Sequence, residues 1–244
     1  MSHAKLVYLS NVPKGLPPVF PIRLCGVRSD IADLCLEYNE ATTSLRVVIV
    51  LAESVNPGHK NPGVAFDNLV VGIVDHLSFE LDFPIQSPKL ALYNDPLGSV
   101  TVYPPPLTLN VSLNAILVQD SNVLKAKLSV MLPVSNPLQE YNSVAHIDNA
   151  VQQFVSLWGI LTYLADNKGT VKAVDDFLHT LGVKNESVSG PHGPETKYAR
   201  VRNEIAHPAD RGVRLADLPA RVNEVLPEFR QVVKKAVAAH VNLP

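Results

Sequence analysis

Glu195-Thr196-Lys197-Tyr198-Ala199-Arg200-Val201-Arg202-Asn203-Glu204-Ile205-Ala206-His207-Pro208 reads as a short helix that ends in a bend. Tyr198, Val201 and Ile205 recur at three- and four-residue steps, so they predict an inward stripe with the charged residues outside. On such a helix Asn203 and His207 lie four apart and share a face. Arg202 precedes His207 by five, about 140° around the axis at 3.6 residues per turn, an offset that a long side chain can bridge. Pro208 crowds the residue before it, so the helix should stop or kink at His207 and leave the imidazole at an exposed terminus. Nowhere else do residues of catalytic type fall at an informative spacing.

The chain before and after this stretch has the same helical period. At Ser135-Asn136-Pro137 the asparagine can cap a helix and the proline can occupy its first position. Tyr141, Val144, Ala145, Val151, Phe154, Val155, Trp158, Leu161 and Leu164 then recur at three- and four-residue steps. They predict one helix of about 29 residues, ~43 Å long, closed by Asn167-Lys168-Gly169. Asp148 lies at the edge of its apolar stripe. Val171–Leu181 reads as a shorter helix, Lys184–Pro194 as a loop carrying His192, and Leu215–His240 as a last amphipathic helix that Pro219 and Pro227 start or bend. Four helices in this order form a bundle over residues 137–244.

Residues 1–132 follow a different pattern. Most of the chain's 20 prolines fall before residue 140. Pro13, Pro17, Pro18 and Pro21 around Gly15 make residues 1–22 an extended arm or edge segment. Ile31–Tyr38 is ambiguous, whereas Leu45–Leu51 is a β-branched run of buried-strand character. Leu69–Phe83 reads as a strand that would turn the neighbours Asp75 and His76 to opposite faces. Strand patterns continue at Lys89–Tyr93 and Gly98–Tyr103. The alternations over Leu107–Asn114 and Val123–Leu132, around the turn residues Gln119–Asn122, predict an antiparallel hairpin. His59, in the loop Asn56–Gly63, has no second ligand at a metal-binding interval and reads as an exposed loop residue. The fold class is therefore α+β, with a β-rich, sandwich-like domain over 1–132 followed by a helical domain over 137–244.

Charge narrows the functions. The net charge is −2, and Lys plus Arg against Asp plus Glu stand at 9 to 11 in residues 1–136 and 12 to 12 in residues 137–244. Neither half has the strongly positive surface that general nucleic-acid coating requires. Positive charge is only local, where Lys197, Arg200, Arg202, Arg211 and Arg214 crowd the motif. Cys25 and Cys35 are too few for a disulfide framework or a four-cysteine zinc site. With no signal-like opening segment and no long apolar run, the expectation is a cytoplasmic protein without a membrane span or cofactor.

Tyr198, then Arg202 and Asn203, three further residues and His207-Pro208, after a Gly/Pro-rich loop and before another helix, resemble the signature of the HEPN superfamily. The resemblance covers roughly residues 137–244. It implies an all-helical domain and a metal-independent endoribonuclease that works as a dimer, two motif helices enclosing one cleft. Arg202, Asn203 and His207 would be catalytic, with Tyr198, Lys197, Arg200, Asp148 and His192 as binding or supporting residues and RNA as substrate. A β-rich domain ahead of a HEPN domain also resembles defence proteins whose first domain senses an unidentified ligand or protein while the second cuts RNA. Other HEPN domains serve as non-catalytic dimerisation or nucleotide-sensing modules, the alternative reading. The string Glu195-Thr196-x-Tyr198, Arg202-Asn203 and His207 bears a fainter resemblance to the J-type accessory proteins of methylamine utilisation.

Overall fold

The computed structural model describes residues 3–12, 14, 16, 20–53, 55, 57, 62–97, 99–103, 128, 136–145, 147–165, 170–183, 187–190 and 193–241. The chain divides into two compact units, Met1–Ser135 and Asn136–Pro244. Strands dominate the described part of the first and helices the second, an α+β organisation.

In the first unit β1 (Lys5–Asn11), β2 (Ile22–Leu24), β3 (Ile31–Asn39), β4 (Ser44–Leu51), β5 (Lys89–Asn94) and β6 (Val100–Val102) form one antiparallel sheet in the order β2-β3-β4-β1-β5-β6. β1 is thus interior, paired on both sides, not an edge segment. Its residues carry no proline, so every N–H is available to the ladders, and the prolines that suggested an edge begin only at Pro13. Side chains alternate across the sheet as the pleat requires. Leu6, Tyr8, Leu34, Leu36, Val47 and Ile49 join the main core, while Val7, Cys35 and Val48 form a small cluster on the other face. Cys25 and Cys35 are both free thiols.

Leu69–Phe83 is not a strand. It lies largely within α1 (Asp67–Leu81), and Val70, Ile73, Val74, Leu77 and Leu81, spaced as a helical stripe, enter the core beside the sheet residues. Asp82, at φ 49° and ψ 44°, ends the helix, its N–H bonded to the Phe79 carbonyl. Asp75 and His76 are therefore adjacent on a helix, and His76 Nε2 lies 3.5 Å from Glu80 Oε1, one turn on. Residues 107–127 and 129–132, where the hairpin was expected, lie outside the described residues, as does His59. Leu128, described on its own, is helical and buried rather than on a strand.

In the second unit the expected 29-residue helix is two, α2 (Asn136–Val144) and α3 (Ala150–Leu164). Asn149 separates them by capping α3, its side chain accepting from Gln152 N–H at 3.0 Å. α4 (Val171–Thr180) is capped in the same way by Thr170. Part of the expected loop is a hairpin, β7 (Ser187–Gly190) with β8 (Gly193–Thr196). Thr196 ends β8 and caps α5 (Lys197–Ala206), so Glu195 belongs to the strand and not to the helix. A 3-10 turn at Leu215–Asp217 leads into α6 (Leu218–His240), with Pro219 in its first turn and Pro227 inside it. α3, α5 and α6 share an aromatic core. The Phe229 ring lies 4.4 Å from Phe154 and 4.9 Å from Tyr198, centroid to centroid, and Trp158 stacks beyond Phe154.

Candidate functional site

The aromatic core fixes the rotation of α5. Tyr198 is 1% exposed, and its hydroxyl donates to Glu228 Oε1 of α6 at 2.7 Å. Burial, then the bond to Glu228, raises the tyrosine pKa. Tyr198 is therefore a packing residue rather than an exposed binding group. Lys197 is likewise engaged, pairing with the other oxygen of Glu228, and these two donors hold the Glu228 carboxyl below the usual range.

Arg200 and Glu204 are one turn apart. Arg200 Nε and Arg221 Nη1 donate to the same Glu204 oxygen at 3.1 and 2.9 Å, and the Glu204 side chain is 5% exposed. A buried carboxylate is tolerated when cations satisfy it. Arg200 thus completes a structural ion pair, which differs from a freely offered binding cation. These residues line an open groove of about 420 Å³ with Val188, Val201, Glu224 and Val225.

On the other side of α5 stand the motif residues. Arg202 is half-buried, and its Nη1 donates to Asn203 Oδ1 at 3.2 Å. Asn203 Nδ2 reaches Glu195 Oε1 at 3.4 Å. The asparagine side chain therefore serves Arg202 and Glu195, and only its backbone meets His207, whose N–H donates to the Asn203 carbonyl at 2.8 Å. His207 is the residue that ends α5, at φ −136° and ψ 58°, and it is exposed. That backbone lies outside the helical region, which Pro208 disfavours for the residue before it.

Arg211 grips both oxygens of Glu195, at 2.8 and 2.6 Å, with side chains only 9% and 13% exposed. This two-donor fork, followed by the bond from Asn203, holds the Glu195 carboxyl below its ordinary pKa against the opposing effect of burial. Arg214 pairs with Asp217 at 2.9 Å. Asp148 is exposed in the break between α2 and α3, not on a long helix, and no bond joins it to Arg202 or His207 among the described residues. His192 lies outside the described residues.

Glu195 and Arg211 as a coupled pair, and Glu204 and Glu228 as the acceptors that occupy neighbouring cations, are what sequence reading missed. Glu228 is 31 residues from Lys197, and only tertiary structure could join them. Among the described residues no group of three or more His, Cys, Asp or Glu side chains could hold a metal ion, and no helix is long and apolar enough to cross a membrane. No family model matches this chain, and neither a curated protein nor a solved structure gives a match.

Proposed function

We propose that the second unit is a HEPN-type bundle acting as a metal-independent endoribonuclease in defence or stress response. Two copies pair through it so that two Arg202–His207 sets enclose one cleft. One observation carries this reading. Among the described residues, four of Arg200, Arg202, Arg211, Arg214 and Arg221 are paired to carboxylates, and Arg202 alone of the five is held by a neutral amide. A guanidinium in that state keeps its charge and most of its donors for a phosphate.

In the reaction a ribose 2′-oxygen attacks the adjacent phosphorus, its proton passes to one imidazole, and the 5′-oxygen leaves with a proton from the other. The products are a 2′,3′-cyclic phosphate and a free 5′-hydroxyl. The His207 imidazole is a side chain that can both take and give a proton through its ring nitrogens. The Arg202 fork would stabilise the charge that grows on the phosphorane, which is why one protomer is half a site. The first unit, with its β-rich sheet, would serve recognition.

The even charge of the second unit, 12 cations against 12 anions, favours a second reading. Without a broad basic surface, the bundle would be a non-catalytic dimerisation module or a nucleotide sensor. An RNA panel incubated in EDTA with wild type and His207→Ala separates the two. Cutting by wild type alone, leaving cyclic or 3′-phosphate ends, supports the nuclease. Equal background from two folded, dimeric proteins supports the second reading, and an absolute need for divalent metal contradicts the mechanism. Light scattering at micromolar concentration tests the dimer, and a clean monomer would remove it.

A further inference from the structure

Five hydrogen bonds close a ring at the end of α5. His207 N–H donates to the Asn203 carbonyl at 2.8 Å. Asn203 Nδ2 donates to Glu195 at 3.4 Å, Arg211 grips Glu195 at 2.6 and 2.8 Å, and Arg211 N–H returns to the His207 carbonyl at 3.2 Å. Arg202 hangs from this ring through its bond to Asn203 Oδ1 at 3.2 Å. Both members of the Arg–His pair are thereby tied to one carboxylate, the guanidinium through the Asn203 side chain and the histidine through its backbone.

The chemistry of the donors decides which way the amide faces. An ionised carboxylate only accepts and a guanidinium only donates, so Asn203 must turn its NH2 to Glu195 and its oxygen to Arg202. Reversing it would set NH2 against guanidinium and oxygen against oxygen. We propose that Glu195, clamped by Arg211, is a positioning residue that sets the polarity of the Asn203 amide and so seats Arg202, while the same clamp holds the His207 backbone. The role of Arg202 as a phosphate ligand rests on the reading above, but its seating does not.

Two further observations fit. The Glu195–Arg211 pair is nearly buried, where charge is screened little by salt, and its two parallel bonds fix direction as well as distance. Buried ion pairs of this kind contribute little net stability over well-packed apolar residues. Their effect here is geometric.

The test uses the full chain and needs no RNA: the order parameter of the Arg202 Nε–H group from ¹⁵N relaxation. In wild type it should lie in the ordered range, ~0.8, and in Glu195→Gln it should fall below ~0.6, because a glutamine cannot accept both donors of the Arg211 fork and the Asn203 amide as well. Glu195→Arg combined with Arg211→Glu separates positioning from simple clamping. The swap restores the ion pair and the melting temperature, but it places a donor before Asn203, so the amide turns its NH2 to Arg202 and the guanidinium stays loose. An unchanged Arg202 in Glu195→Gln, or recovery of Arg202 order together with the melting temperature in the swap, overturns the proposal. Should Glu195→Gln fail to fold, Arg211→Lys replaces it, with one donor in place of two and a partial loss of Arg202 order expected.

If wild type cuts RNA, Glu195→Gln and the swap should both lower kcat, by up to ~10²-fold for a misplaced group. If wild type does not cut, the ribonuclease reading fails while the side-chain measurement still decides the positioning.

Discussion

The two sides of α5 treat positive charge in opposite ways. On one side Lys197, Arg200 and the facing Arg221 each end on a carboxylate, and the Glu204 at their centre is buried. On the other, Arg202 has, among the described residues, only an amide oxygen, and His207 is exposed at the helix end. Arg200 and Arg202 are two residues apart yet about 160° apart around the axis. The local crowd of cations is thus two populations, one neutralised by the fold and one left available. Counting charges in a sequence window cannot tell them apart, because the fold decides which carboxylate each cation meets: Glu204 of α5 itself is shared with Arg221 of α6, Glu228 of α6 takes Lys197, and Glu195 of β8 takes Arg211.

The largest effects should fall on the available side. In an RNA-cleaving preparation His207→Ala should reduce the rate ~10²–10⁴-fold, the range for a lost general acid–base group. Arg202→Ala should be comparably damaging, and Arg202→Lys should recover only part, since a point charge cannot reproduce a fork. Arg221→Ala should leave the rate near wild type in the same assay. A loss at Arg221 as deep as at His207 would erase the distinction between the sides. Asn203→Ala should fall between.

Next in size is the platform that both sides share. Phe229 is fully buried against Phe154, Trp158 and Tyr198. Phe229→Ala should cost ~3–5 kcal/mol in denaturant unfolding, and loss of α5 orientation should then abolish any rate difference between the sides. A cost under ~1 kcal/mol would mean that the site collapses without a cavity.

Acid should act on both sides. The folded pKa of Glu195 is lowered, chiefly by Arg211, and that of Glu228 by Lys197. A lowered folded value gives stability that is present above the unfolded glutamate pKa of about 4.3 and is lost as pH falls through the folded value. Melting temperature should therefore drop as pH descends below about 4.3, and Glu195→Gln should flatten part of that slope. An unchanged slope would mean that the clamp on Glu195 contributes no linkage.

Some of this was legible in sequence and some was not, for identifiable reasons. β4 could be read because a β-branched run of strand length, buried at Val47, Val48 and Ile49, has few other uses. α1 was misread because Val70, Val71, Ile73 and Val74 have strand composition, although their buried members keep helical spacing, and tertiary burial overrides such propensity. The break before α3 was invisible because the apolar stripe runs through it. Asn149, a good capping residue in mid-pattern, was the available signal. At the site, the inward Tyr198 and the helix end at His207 followed from periodicity and from Pro208. Glu195 did not, since it lies across a strand–helix boundary and meets Arg211 16 residues on.

The smallest expected effect tests the neutralised side on its own terms. Arg200 and Arg221 both donate to Glu204 Oε1, so either can be removed without stranding the carboxylate. Both guanidinium groups are more than 40% exposed, and most of what one of them gains from the pair it would regain from water. Arg200→Ala should therefore cost only ~0.2–1 kcal/mol, as exposed ion pairs do, and less in high salt. Removing both at once is different in kind, because Glu204 would then be a buried charge without a partner, and uncompensated buried charges are expensive. The double variant should lose clearly more than the two single losses together, read by denaturant unfolding as a coupling energy. Additive losses would show that Glu204 reaches water on its own, and the side of α5 that looks neutralised would then be merely solvated.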